Sequence, residues 1–298
     1  MYLIIGASGF IGSHLYRFCK AQRIDVVGTY CRHRCNSEYI PFDICLDNLN
    51  DICIQYLGGA VPAAVIICGA NAGIDSCKRN ETASNLLNVI GTKRLIDQIS
   101  KMGSKTVFIS SETVFDGKKG MYTEDDSPKP ITLYGRQKLQ IEQYLIHQSK
   151  EYIIFRISRA VGSCFGENDI FGEFYCRIMH QEEIVCLKNQ TFCITEIGDI
   201  VQGIMKAIDL GLNGLYHLSS ANCISRYELA QLYAKTIFGG YSKIFEREYC
   251  EMAFFDKRHI YGGLNGNKLA DILQMKYMDT ADILKNYLDS YQRKEVFR

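Results

Sequence analysis

Seven residues near the N-terminus, Gly6-Ala7-Ser8-Gly9-Phe10-Ile11-Gly12, limit the folds open to this chain more than any others. They follow a short apolar run, Tyr2–Ile5, and lead into an amphipathic stretch, so the pattern is strand, tight turn, helix. Glycines at this spacing let the backbone turn sharply and let helix N-terminal N–H groups approach a pyrophosphate. Further short runs rich in Val and Ile read as buried strands: Asp25–Tyr30, Ala63–Gly69, Thr106–Ser110 and Tyr152–Arg156. Helical patterns lie between them, at Phe10–Gln22, Asp47–Leu57, Asn80–Met102 and Tyr134–His147. Strands alternating with helices predict a Rossmann-type, doubly wound parallel α/β sheet.

After Ser158 the alternation loosens. Helices are predicted at Ile170–His180 and Asp199–Leu210, a strand at Gly214–Leu218, and a further helix from Ser225, where Glu228 completes a capping box. The expected division is a dinucleotide-binding domain over residues 1–160 and a smaller substrate lobe over 161–298, its segments interleaved with the sheet. Net charge of +1 gives no broad basic footprint for nucleic acid. No apolar run approaches bilayer length, and no basic leader precedes Tyr2, so a soluble cytoplasmic protein is expected. The 13 cysteines show no Cys-x-x-Cys pair and no zinc spacing; they are expected to be scattered, reduced and mostly buried. The six histidines likewise lack ligand spacing, so no metal is expected, and most read as surface or helix-terminal residues.

At the end of the second strand a dinucleotide site with NAD preference carries an acidic residue for the ribose hydroxyl. Here the chain reads Gly28-Thr29-Tyr30-Cys31-Arg32-His33-Arg34, with arginines where a 2′-phosphate would lie. A guanidinium fork suits phosphate, so NADP(H) is preferred and NAD(H) is the alternative. The cofactor candidates are Gly6, Ser8, Gly9, Phe10, Ile11, Gly12 and Arg32, with Asp43 and Ile44 toward the adenine.

Chemistry gathers around two segments. Ser110-Ser111-Glu112 ends the Thr106–Ser110 strand, on the side where open α/β sheets bind ligands. Tyr134-Gly135-Arg136-Gln137-Lys138 places a phenol and an ammonium at i and i+4 on one helical face. A tyrosine can protonate a developing alkoxide, a nearby ammonium can lower its pKa and hold the nicotinamide ribose, and Ser111 can steady the same oxygen.

With these residues the chain resembles the extended short-chain dehydrogenases, and within them the dTDP-4-dehydrorhamnose reductase branch. Ser110-Ser111-Glu112-Thr113-Val114-Phe115-Asp116-Gly117 is similar to the branch's Ser-Thr-Asp-Tyr-Val-Phe-Asp-Gly segment. Asn88-Val89-Ile90-Gly91-Thr92, Arg156-Ile157-Ser158-Arg159-Ala160-Val161-Gly162 and Leu264-Asn265-x-x-Lys268-Leu269 also match its patterns. The resemblance implies Ser111, Tyr134 and Lys138 as a catalytic triad, Glu112 at an acidic position beside the substrate, and a nucleotide-linked keto-sugar as that substrate. Arg159 and Arg258 are candidates for its pyrophosphate. Arg159 and Ala160 stand where the family often carries a tryptophan, and the chain has no Trp, so an aromatic wall is expected to be lost. Two other readings share the motifs: a nucleotide-sugar epimerase or dehydratase, and a non-catalytic NADP-binding subunit resembling the regulator of methionine adenosyltransferase. A homodimer is compatible with the family.

Overall fold

The computed structural model describes residues 1–295. The first half runs β1 (Tyr2–Ile5), α1 (Phe10–Ala21), β2 (Val26–Tyr30), β3 (Ile40–Pro41), α2 (Leu49–Leu57) and β4 (Ala64–Ile67). It continues through α3 (Ile74–Arg79), α4 (Glu81–Asn85), a π-helical stretch Leu86–Gly91, α5 (Thr92–Met102), β5 (Lys105–Ser111), α6 (Leu133–Gln148) and β6 (Tyr152–Ile157). The second half comprises β7 (Arg159–Val161), α7 (Ile170–Met179), β8 (Ile184–Leu187), β9 (Thr191–Glu196), α8 (Ile197–Asp209) and β10 (Gly214–His217). It ends with β11 (Cys223–Ser225), α9 (Arg226–Phe238), β12 (Ile244–Arg247), α10 (Asn267–Leu273) and α11 (Thr280–Glu295).

Seven strands form one sheet in the order β10-β6-β5-β4-β1-β2-β3, and every pairing in it is parallel. This is the doubly wound α/β architecture the strand–helix alternation predicts. All four residues of β4 are buried, because helices cover both faces of a parallel sheet. On one face Ile4 packs with Leu15 of α1 and Ile200 and Ile204 of α8. On the other, Leu3 and Ile5 pack with Leu95 and Ile99 of α5 and Ile141 of α6. A third cluster, including Phe171, Phe174, Tyr233 and Tyr287, packs among α7, α9 and α11. Beside it lie a three-stranded sheet, β11-β9-β7, and a two-stranded one, β12-β8.

The segment read as a single helix over Asn80–Met102 is instead broken into pieces. Asn80 caps α4 by accepting from the Ala83 N–H at 3.1 Å, which ends α3 just before it. Farther along, the Thr92 hydroxyl donates to the Leu87 carbonyl at 3.0 Å, a side-chain bond inside the π-helical turn. One other expectation is corrected. Only Cys19, Cys53, Cys77, Cys186 and Cys193 are buried, whereas six cysteines are exposed; all 13 are free thiols. His217 is neither superficial nor helix-terminal: it lies on β10 with no exposed surface. Among the described residues no helix is long and apolar enough to cross a membrane.

Candidate active site

The glycine turn joins β1 to α1. The Gly6 N–H donates to the Thr29 hydroxyl at 3.0 Å, anchoring the turn to β2. A Cβ on Gly12 would stand 2.4 Å from the Gly6 carbonyl oxygen, so α1 starts where it does only because that side chain is absent. Gly6 itself has φ +81° and faces Gly69 at the end of β4, where a Cβ would come within 2.7 Å of backbone. A cavity of about 760 Å³ opens in front of this turn. Gly6, Ser8, Gly9, Arg32, Asp43 and Ile44 line it, so these six candidates are brought together. Phe10 and Ile11 instead pack against the core, and Gly12 is buried within α1. The Arg34 guanidinium turns away to the Ser37 carbonyl, leaving Arg32 as the arginine of the pair that faces the cavity. Asp43 directs one carboxylate oxygen to the Cys45 N–H at 2.8 Å and so shapes the adjacent loop. The tight glycine turn, its helix N-terminus and a cavity with one guanidinium fit a dinucleotide phosphate.

Ser111 closes β5, and its hydroxyl accepts from the Thr113 N–H at 3.2 Å, capping a 3-10 turn at Glu112–Val114. The first turn of α6 lies directly on this turn: a Cβ on Gly135 would fall 2.0 Å from the Thr113 carbonyl oxygen. Gly135 therefore lets Tyr134 approach the β5 end. Thr132 caps α6 through the Gly135 N–H at 3.0 Å, and Asp256 accepts from the Leu133 N–H at 2.7 Å. Lys138, one turn on, donates to the Ile109 carbonyl at 2.7 Å, and its ammonium lies 5.7 Å from the centre of the Tyr134 ring.

Both groups are buried, and burial decides their protonation. It pushes the Tyr134 phenol above its ordinary value, with a smaller contribution from Cys77, so the expected lowering by the ammonium is outweighed. It pulls Lys138 down to about 8, opposed by Cys68, Glu142 and Cys77. Beneath them lies a buried ion pair, Glu142–Arg156 at 2.7 Å, which also engages Ser110 and, through Arg156, the His217 ring at 3.4 Å. Ser110 is thus committed to the interior, and Ser111 is the serine free to face a ligand. Burial and the Arg156 charge together hold His217 neutral, with its pKa down to about 3.

A second cavity, about 300 Å³, lies on the other side of the β5 end. Glu112, Arg159 and Arg258 all line it, and it also contains Arg226, Arg177 and Glu173. Glu112 accepts from the Ser158 hydroxyl and the Gly263 N–H, each at 2.7 Å, pinning a late loop beside the β5 end. Arg226 and Arg177 share Glu173, and Arg258 pairs with Asp75 at 2.9 Å. Arg159 has no ion pair among the described residues and lies 5.3 Å above the Phe192 ring. Desolvation and repulsion from Arg226 lower its pKa, opposed by Glu112 and Glu173. Phe192 on β9 and Phe254 in the late loop give the cavity aromatic lining of its own. Sequence reasoning passed over Phe192, Phe254, Glu173 and Arg177. Arg226 was legible as part of Ser225-Arg226-Tyr227-Glu228, a segment that resembles the family's substrate lobe.

The family model described as the RmlD substrate binding domain matches residues 1–292. The chain is 26% identical to methionine adenosyltransferase 2 subunit beta of Xenopus tropicalis, over 76% of this chain and 69% of that one. It is 28% identical to a dTDP-4-dehydrorhamnose reductase of Aggregatibacter actinomycetemcomitans, over 76% of each. The crystal structure of dTDP-4-dehydrorhamnose reductase from Bacillus anthracis in complex with NADP superposes with a TM-score of 0.81 at 22% identity, covering 96% of this chain and 97% of that one. The chain belongs to the family of the RmlD substrate binding domain.

Proposed function

We propose that this chain is an NADPH-dependent reductase of the keto group of a nucleotide-activated sugar. One arrangement supports the reading: the first turn of α6, which carries Tyr134, lies on the 3-10 turn that Ser111 caps, and Lys138 reaches the Ile109 carbonyl of β5. Lys138 interacts with Cys68, which lines the glycine-loop cavity, and Glu112, next to Ser111, lines the arginine cavity. Gly6, Ser8, Gly9 and Arg32 would hold the cofactor, which supplies a hydride when bound.

The residues' own roles follow from their protonation. Tyr134 keeps its proton at neutral pH because burial penalises the phenolate, so it is the acid that delivers a proton to the carbonyl oxygen. Lys138 is ammonium below about pH 8 and offsets the charge that develops as Tyr134 gives up its proton. Ser111 accepts from Thr113, which leaves its own hydroxyl hydrogen for the same carbonyl oxygen. Arg159, Arg226 and Arg258 meet the diphosphate of the substrate.

Tyr134→Phe removes the acid and little else. Turnover of a nucleotide-linked keto-sugar should fall about a thousandfold, within the usual range for a general acid, while NADPH affinity by titration stays within about twofold. Full activity in that variant rules out the mechanism. The similarity to methionine adenosyltransferase 2 subunit beta gives a second reading, a non-catalytic NADP-binding regulator. Tight NADPH binding with no oxidation by any keto-sugar, and co-purification with a partner enzyme, would select it.

A further inference from the structure

β9 and β11 run antiparallel, and their register sets Cys193 directly opposite Cys223. The Ile194 N–H donates to the Asn222 carbonyl at 3.3 Å, so 194 and 222 form a hydrogen-bonded pair. The pair one step along, 193 and 223, is then of the alternate kind, in which side chains stand closer and Cα atoms lie about 4.5 Å apart. Disulfides span Cα separations of about 4.4–6.8 Å, so cysteines paired in this register lie within reach of one another. Among the described strands no other two cysteines are register partners.

The two thiols are unequal in a useful way. Cys223 is exposed, whereas Cys193 is buried against the Met121 sulfur at 3.4 Å. The neighbouring sulfurs lower the Cys223 thiol below its ordinary value and raise Cys193 above its own. One sulfur is accessible, and the other is buried.

We propose that Cys223 and Cys193 are a peroxide-modifiable pair, Cys223 as the reacting thiol and Cys193 as the resolving one. The Cys223 thiolate attacks a peroxide oxygen; the O–O bond breaks, and the leaving hydroxide takes a proton to become water. The Cys193 sulfur then attacks the sulfenic sulfur of Cys223. The S–O bond breaks, and the departing hydroxide takes up the Cys193 proton as a second water. Two electrons pass to the peroxide, and one S–S bond is made. The bond would staple two walls of the arginine cavity, since Phe192 precedes Cys193 and Arg226 follows β11.

The test is peptide mapping of the full chain after dilute hydrogen peroxide and alkylation of the remaining thiols. A Cys193–Cys223 linkage, formed before Cys31 or Cys250 is oxidised, is the expected result. In Cys193→Ser the sulfenic acid should persist at Cys223 and be captured by dimedone, whereas Cys223→Ser should give neither product. The proposal is overturned if both cysteines are still alkylated in wild-type protein once Cys31 and Cys250 are oxidised. It is equally overturned if Cys223 joins a different cysteine. Because the wild-type mapping uses no variant, a poorly folding Cys193→Ser protein leaves the test intact.

Discussion

The cavity beside the glycine turn, about 760 Å³, is lined mostly by uncharged residues, with Arg32 and Asp43 as its charged groups. The cavity beside Glu112, about 300 Å³, presents four arginines and two glutamates. The first recognises by how closely backbone can approach a ligand, and the second by charge carried on long side chains. A single misplaced carbon therefore disables the first. The second responds in graded steps and weakens as salt screens it.

Gly12→Val is the hardest blow to this contrast. Its Cβ would overlap the Gly6 carbonyl oxygen, and strain of about 3 kcal/mol in the turn corresponds to about a hundredfold loss of NADPH affinity. Nucleotide-sugar binding should stay within about threefold by calorimetry; equal losses at both sites would break the comparison. Arg159→Met should act only on the other side. Its guanidinium has no protein carboxylate to orphan, so removing it raises KM for the nucleotide sugar about thirtyfold, a charge-assisted hydrogen bond's worth, with kcat nearly unchanged. Arg32→Ser tests the one guanidinium of the first cavity: the ratio of NADPH to NADH affinity should drop about tenfold, and an unchanged ratio removes Arg32 from phosphate recognition.

The smallest effect is a titration of the shared group. Lys138 loses its proton as pH rises through about 8, so kcat/KM should decline roughly fivefold between pH 8 and 9. Stability moves the other way. Since the buried lysine's pKa lies below its ordinary 10.5, the unfolded chain binds more protons between these values, and the fold gains stability as pH rises across that window. A Tm that rises while activity falls would identify the group; parallel declines would point elsewhere.

What could be read from the sequence divides along the same line. The glycine turn, the buried strands and the Tyr134–Lys138 spacing are local patterns, each complete within a few residues. The arginine cavity draws on residues from Ile74 to Gly262. No local spacing announces that Phe192 will lie under Arg159 or that Glu173 will serve two arginines. β7, β8, β9, β11 and β12 escaped notice for a related reason: they are three to six residues long, and their partners lie far away in the chain. Burial also reversed one local inference, since a neighbouring ammonium matters less to Tyr134 than the loss of water around it.

β10 closes the main sheet against β6, and α8, made just before it, covers the face that carries Leu15 and Ile4. During synthesis the strands around the glycine turn emerge first, yet β6 has no neighbour on its outer edge until residues 214–217 arrive. Until then the nascent chain exposes an open strand edge and an uncovered apolar face, the combination that favours pairing with the wrong chain. The sheet begun by the first half is therefore completed only by a strand from the second, a long-range closure of the kind that slows folding.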